Sequence, residues 1–110
     1  MAAEGKPLVW YHGEVKSPPF SKEARLEAGY LLRLLQNGQN LGLPWSRPMP
    51  RIGARCRELR IRDAQKTWRI MYRIDADAIV IVEVYQKQTP STPQAVIEAC
   101  QKRLREYESI

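Results

Sequence analysis

The sequence predicts an α+β domain: a small, curved antiparallel sheet in β-α-βββ-α order, with helices packed on it. Three observations carry this. Two neighbouring basic segments alternate polar and apolar residues with period two, the signature of a half-buried strand. A third β-branched run, from Ala78 to Gln86, follows within a few residues. Two stretches with apolar residues at three- and four-residue spacing flank the group, as amphipathic helices do. At 110 residues the chain has the size of one domain, 1–110, and enough length to bury one core.

The elements follow in order. Leu8 to His12 reads as a first strand, with Val9, Trp10 and Tyr11 favouring extended backbone. Its weak polarity pattern places it at an edge or between two covered faces. Pro18-Pro19 closes a loop, and Ser21 is a helix N-cap. A helix is predicted from Ser21 to about Asn37, with Leu26, Tyr30, Leu31, Leu34 and Leu35 on its apolar face and Gly38 as terminator. Gly29 is a mid-helix cost that would admit close approach to the sheet. Residues 39–50 hold three prolines and Gly42 and read as a connection, with Trp45 pinning it to the core.

The basic hairpin comes next. In Glu58-Leu59-Arg60-Ile61-Arg62 the arginines take one face, and in Trp68 to Ile74 the residues Arg69, Met71 and Arg73 share one. Asp63 to Lys66 supplies the turn. If both apolar faces meet one core, Arg60, Arg62, Arg69 and Arg73 form a single guanidinium surface, and guanidinium binds phosphate through paired hydrogen bonds. If Val80, Val82 and Val84 face that same core, Glu83, Tyr85 and Lys87 join the arginine side. Thr92 is a plausible N-cap for a last helix from Pro93 to about Tyr107.

Charge points the same way. Residues 51–73 hold eight cationic and two anionic side chains, a net of +6. The whole chain, with 18 Lys+Arg and 12 Asp+Glu, is also +6, so the remainder is neutral. Positive charge concentrated in one segment implies a polyanionic partner. The composition, 44% hydrophobic and 27% charged, is that of an ordinary globular protein. No apolar run is long enough to imply a membrane span, and the N-terminus lacks a signal pattern, so a cytoplasmic location is expected. Cys56 and Cys100 lie far apart and His12 is the only histidine, so no metal and no cofactor are expected.

The segments WYHGEVKSPPFS, AGYLLRLLQNG, LPWSRPMPRIGARCRELRIRD, TWRIMYRID and YQKQTPSTPQAVIEACQKR, taken in sequence, resemble RelE/HigB-type toxins of bacterial type II toxin–antitoxin systems, in the phage-derived branch. The resemblance runs over roughly residues 8–107. It implies a RelE-like fold, an endoribonuclease that cuts mRNA on the ribosome, and neutralisation by a cognate helix-turn-helix antitoxin. It places Arg60 as a phosphate-binding residue and Arg69 as the stabiliser of the scissile phosphate. Lys87 matches the first lysine of an aromatic-x-Lys-Lys-Thr segment, in which Tyr85 stands where phenylalanine is commoner and Gln88 replaces the second lysine. The tyrosine or histidine–aspartate sets of some relatives have no counterpart here. The candidate catalytic set is therefore Arg60, Arg69, Arg73, Tyr85 and Lys87, with Arg55, Arg57, Arg62 and Lys66 contacting RNA or ribosome. Two other classes share the fold: an interaction toxin that inhibits gyrase, and a non-catalytic nucleic-acid-binding homologue.

Overall fold

The computed structural model describes residues 5–110. Seven elements follow in order: β1 (Leu8–Trp10), α1 (Lys22–Gln36), β2 (Ser46–Pro48), β3 (Cys56–Asp63), β4 (Lys66–Ile74), β5 (Ile79–Gln86) and α2 (Gln94–Glu108). They form one five-stranded sheet in the order β1-β5-β4-β3-β2 with a helix on each face. The α+β architecture matches the sequence expectation. Two features were not foreseen. The first strand takes the edge position expected of it, but it pairs parallel to β5, so the sheet is mixed rather than purely antiparallel. The proline-rich connection contributes β2, three residues antiparallel to β3.

The hairpin of β3 and β4 closes through Ala64-Gln65, with Ala64 in the left-handed region. Its register places Leu59 opposite Ile70 and Ile61 opposite Trp68. These side chains pack beneath α1 with Tyr72, Ile79 and Ile81. Phe20 stacks on Trp68 with ring centroids 4.2 Å apart. Met71, Val80 and Val82 occupy the other face beneath Ile97, Cys100 and Leu104 of α2.

The valine expectation is corrected here. Val80 and Val82 lie on the α2 face, opposite Leu59 and Ile70, whereas Val84 packs on the α1 side. Between Met71 and Tyr72 the register slips, because Met71 pairs with Glu83 and Tyr72 with Ile81. The extra residue, Val82, is a β-bulge that reverses side-chain parity along β5. Tyr85 therefore reaches the arginine face, as expected, although the premise about the valines was wrong.

On α1 the buried stripe is Ala24, Ala28, Leu31, Leu32 and Leu35, with Ser21 capping through a 3.0 Å bond accepted from the Ala24 N–H. Leu26 and Tyr30, expected inside, are exposed, and Gly29 meets nothing within 4 Å of where a Cβ would sit. Ala24 and Ala28 share the buried side with Leu31, Leu32 and Leu35, which leaves Leu26 and Tyr30 on the outer side of the helix. Trp10 and Trp45 are exposed as well, so only Trp68 of the three tryptophans is core. The N-cap of α2 is Pro93 rather than Thr92, and it makes no side-chain cap.

Asp63 joins the hairpin to α1. Its Oδ2 accepts from the Ser21 backbone N–H at 2.9 Å and from the Trp68 indole N–H at 2.8 Å. Those donors, the Ser21 amide first, hold its carboxyl below the ordinary carboxylate range. A depressed folded pKa contributes stability that is fully present above the unfolded value, about 3.9, and is lost as pH falls through the folded one. Asp63→Asn is expected to flatten the acid limb of a denaturant-midpoint profile below pH ~4. An acid limb as steep as wild type would show that Asp63 is not the group responsible.

A cationic cluster at the open end of the sheet

Directly opposed residues of an antiparallel pair project to the same face. Arg60 faces Arg69 across β3–β4, and Arg69 faces Tyr85 across β4–β5, which sets three side chains in one row. In the next row Arg62 faces Thr67, whose carbonyl accepts from the Lys87 N–H at 2.8 Å. On the other side of the Arg60 row, Arg47 of β2 faces Glu58 of β3. Helix α2 starts beside Glu58, where Thr92 sits, and ends at Arg73, which meets Glu108. The Arg60 and Arg62 rows lie beyond its N-terminal end.

Glu58 is the centre of this corner. It is fully buried, and its Oε1 accepts from Arg47 Nε at 2.8 Å. The same oxygen lies 3.4 Å from Arg69 Nε, near enough for charge pairing but misaligned for a hydrogen bond. The Thr92 hydroxyl accepts from Arg47 and donates to Glu58, each at 3.4 Å. Arg69 is 2% exposed, and among the described residues its Nε and Nη1 have no hydrogen-bond partner. Burial lowers its pKa, Glu58 opposes that, and Arg60 reinforces it. Lys87 is lowered as well, by desolvation first and then by Arg69. Among the described residues the neighbourhood thus sets Arg47, Arg60, Arg69 and Lys87 against the one carboxylate of Glu58.

The Tyr85 hydroxyl has a raised pKa, because burial and then Glu58 outweigh Thr92 and Arg69. The hydroxyl is buried beside Thr92, without a well-formed hydrogen bond among the described residues. It stays protonated at neutral pH and keeps a hydrogen to donate.

Of the sequence-predicted residues, Arg60, Arg62, Arg69, Tyr85 and Lys87 come together. Arg73 does not join them and is corrected here. It shares the face but lies buried beneath α2, bonded through Nε to Asp75 at 2.6 Å and through Nη1 to Glu108. Both carboxylates hold its pKa above the ordinary arginine value despite burial. Arg55 is at that same far end, donating to the Ile74 carbonyl at 3.0 Å. Arg57 belongs to the α1 face, where it donates to Ser46 Oγ at 3.0 Å and to the Leu41 carbonyl at 2.9 Å. Lys66 also lies there, over the Trp68 ring at 5.9 Å. Glu83 is engaged by Arg103 at 3.3 Å and does not enter the cluster.

Arg47 and Glu58 were missed as site residues, although Glu58 has the same parity as Arg60, which was a readable signal. Trp45 is a further addition. It is 47% exposed, and its carbonyl accepts from the Arg60 N–H at 2.8 Å, so it stands at the rim.

Fold and cluster define the class: a small α+β protein with one cationic, incompletely bonded sheet end. The family model for phage derived protein Gp49-like (DUF891) matches residues 19–105, and the chain belongs to that family. It is a RelE/HigB-like toxin family, associated with toxin–antitoxin systems and therefore with an antitoxin partner. No curated protein matches the sequence. Among the described residues no helix is long and apolar enough to cross a membrane.

Removing one partner of a buried ion pair leaves the other uncompensated, at a cost of about 3–5 kcal/mol. Glu58→Ala is expected to lower unfolding free energy in urea by that order, with Arg47 and Arg69 left to repel each other. A loss within ~0.5 kcal/mol, the range of an ordinary surface change, would show that Glu58 does not hold the cluster.

Proposed function

We propose that the chain is the toxin of a type II toxin–antitoxin pair and cleaves mRNA, with the ribosome positioning the substrate. One observation carries this reading: Arg69 is buried, has two N–H-bearing nitrogens without acceptors, and sits among more cations than its one carboxylate balances. Buried donors without acceptors are costly, and an anion supplying oxygens would complete them. A phosphodiester has the charge and the paired oxygens a guanidinium fork needs.

The chemistry follows from the cluster. The ribose 2′-oxygen attacks the adjacent phosphorus, a 2′,3′-cyclic phosphate forms, and the bond to the 5′-oxygen breaks. Arg69 and Arg60 stabilise the charge that builds on the non-bridging oxygens, and the Tyr85 hydroxyl adds a neutral donor. Lys87, whose pKa is lowered, delivers a proton to the departing 5′-oxygen. Both Glu58 oxygens are engaged, so the carboxylate holds guanidinium groups rather than accepting the 2′-proton. Water in the ribosomal site takes the 2′-proton, and alignment of the 2′-hydroxyl falls to the ribosome that holds the substrate. Arg62 meets a flanking phosphate, and the exposed Trp45 offers a face on which a base stacks.

Expression of the wild type should arrest translation with mRNA cut within codons. Arg69→Ala should reduce cleavage by about 10²–10³-fold, the loss of one oxyanion donor, with antitoxin binding retained. Full activity in that variant would remove Arg69 from the site. Intact mRNA with damaged DNA would indicate a gyrase inhibitor, and salt-sensitive RNA binding without cleavage a non-catalytic homologue.

Lys87 gives a separate pH test. As an acid it loses activity when deprotonated, so the alkaline limb of the rate profile should fall with a midpoint below the ordinary lysine value of about 10.4. Lys87→Arg keeps the charge but releases no proton in that range, and should lose both rate and limb. A wild-type rate in Lys87→Arg would assign proton delivery elsewhere.

A further inference from the structure

We infer that the outer face of α1, on the opposite side of the sheet from the cationic cluster, docks an acidic amphipathic helix of the antitoxin. This rests on the family's antitoxin partner and not on the nuclease reading. Between α1 and β1 runs a groove of about 510 Å³ lined by Trp10, Leu26, Gly29, Tyr30, Arg25 and Arg33, among others. Its large apolar side chains are unusually open: Trp10 is 41% exposed, Leu26 57% and Tyr30 63%. Scattered exposed apolar residues need no explanation, but a contiguous group rimmed by polar ones marks an interaction surface.

Charge and spacing define the occupant. Arg25 and Arg33 flank the apolar floor, whereas Glu23 and Glu27 of the same helix are not among the groove residues. The rim is therefore cationic, and a partner with acidic flanks complements it. The groove residues of α1 fall at positions 25, 26, 29, 30 and 33, the three- and four-residue spacing along which a second helix packs. Gly29 fits this reading. It lowers helix propensity and fills no space inside the molecule, since a Cβ there would touch nothing within 4 Å. Open space at that point allows a partner's side chain to seat against the α1 backbone. Strand addition is the weaker alternative, because the edge strand β1 spans three residues only.

The test uses the full chain and its cognate antitoxin, titrated by calorimetry. Leu26→Ala and Tyr30→Ala should each weaken binding by about 30-fold, the size of a hot-spot truncation. Arg33→Glu should weaken it most at low salt. Gly29→Gln, which improves helix propensity and so keeps the fold, should also weaken binding by filling the seat. All four variants should remain toxic when expressed, and antitoxin co-expression should no longer rescue growth. Unchanged antitoxin affinity in the Leu26→Ala/Tyr30→Ala double variant and in Gly29→Gln would overturn the inference. So would a loss of self-association with antitoxin affinity intact, which would make a second copy of this chain the occupant. Loss of toxicity in a variant that still binds antitoxin would likewise reject it, whereas loss of toxicity by Arg69→Ala concerns the other face alone.

Discussion

One buried carboxylate allows the cationic corner to exist. Glu58 lies between Arg47 and Arg69 with no exposure to water. Burying an arginine without any counter-charge would cost several kcal/mol, and the chain would rearrange to avoid it. Two carboxylates would neutralise the corner and leave nothing for an external anion to do. One carboxylate shared by two guanidinium groups is intermediate. It keeps both in place, yet Arg69 retains nitrogens with no acceptor. The register of the sheet enforces this sharing, because Glu58 is directly opposite Arg47 on one side and one row away from Arg69 on the other.

The second constraint is how far α2 reaches. The helix covers the sheet from Glu58 to Arg73, so the same face is apolar and packed at one end and cationic at the other. The bulge at Val82 makes the two ends compatible. It turns Val80 and Val82 toward α2 and still returns Tyr85 to the face that carries Arg69. A regular β5 with the same valines under α2 would have sent Tyr85 to the α1 side, where Phe20 and Trp68 already fill the space.

The legible parts of the sequence were the local ones. Alternation in β3 and β4 placed Arg60, Arg62 and Arg69 together, because a hairpin's register follows from its own turn. The boundaries of α1 followed from Ser21 and Gly38. What escaped was non-local. The parallel pairing of β1 with β5 joins residues about seventy apart in the chain, and β2 is three residues ending on Pro48, with no periodicity to detect. Arg47 was invisible as a site residue for that reason. On α1, Leu31 and Leu35 are buried as expected, whereas Leu26 and Tyr30 are not, because a pattern judged by size passes over Ala24 and Ala28. The bulge left no mark in the valine run, so the right placement of Tyr85 came from an incorrect premise.

Arg69 and Arg73 show why residue type and parity fall short of assigning a role. They lie on one strand and one face, four residues apart, and both are buried. Arg73 has two carboxylates, one from Asp75 next in its own chain segment and one from Glu108 at the end of α2. Its charge is satisfied internally, and its role is to fasten the helix to the sheet. Arg69 has part of one carboxylate and two other arginines nearby. The difference lies in the count of acceptors that the fold brings to each guanidinium, and Glu108 comes from the far end of the chain. An arginine is poised for an outside anion only where the fold withholds an inside one, and that depends on tertiary structure rather than on the strand that carries it.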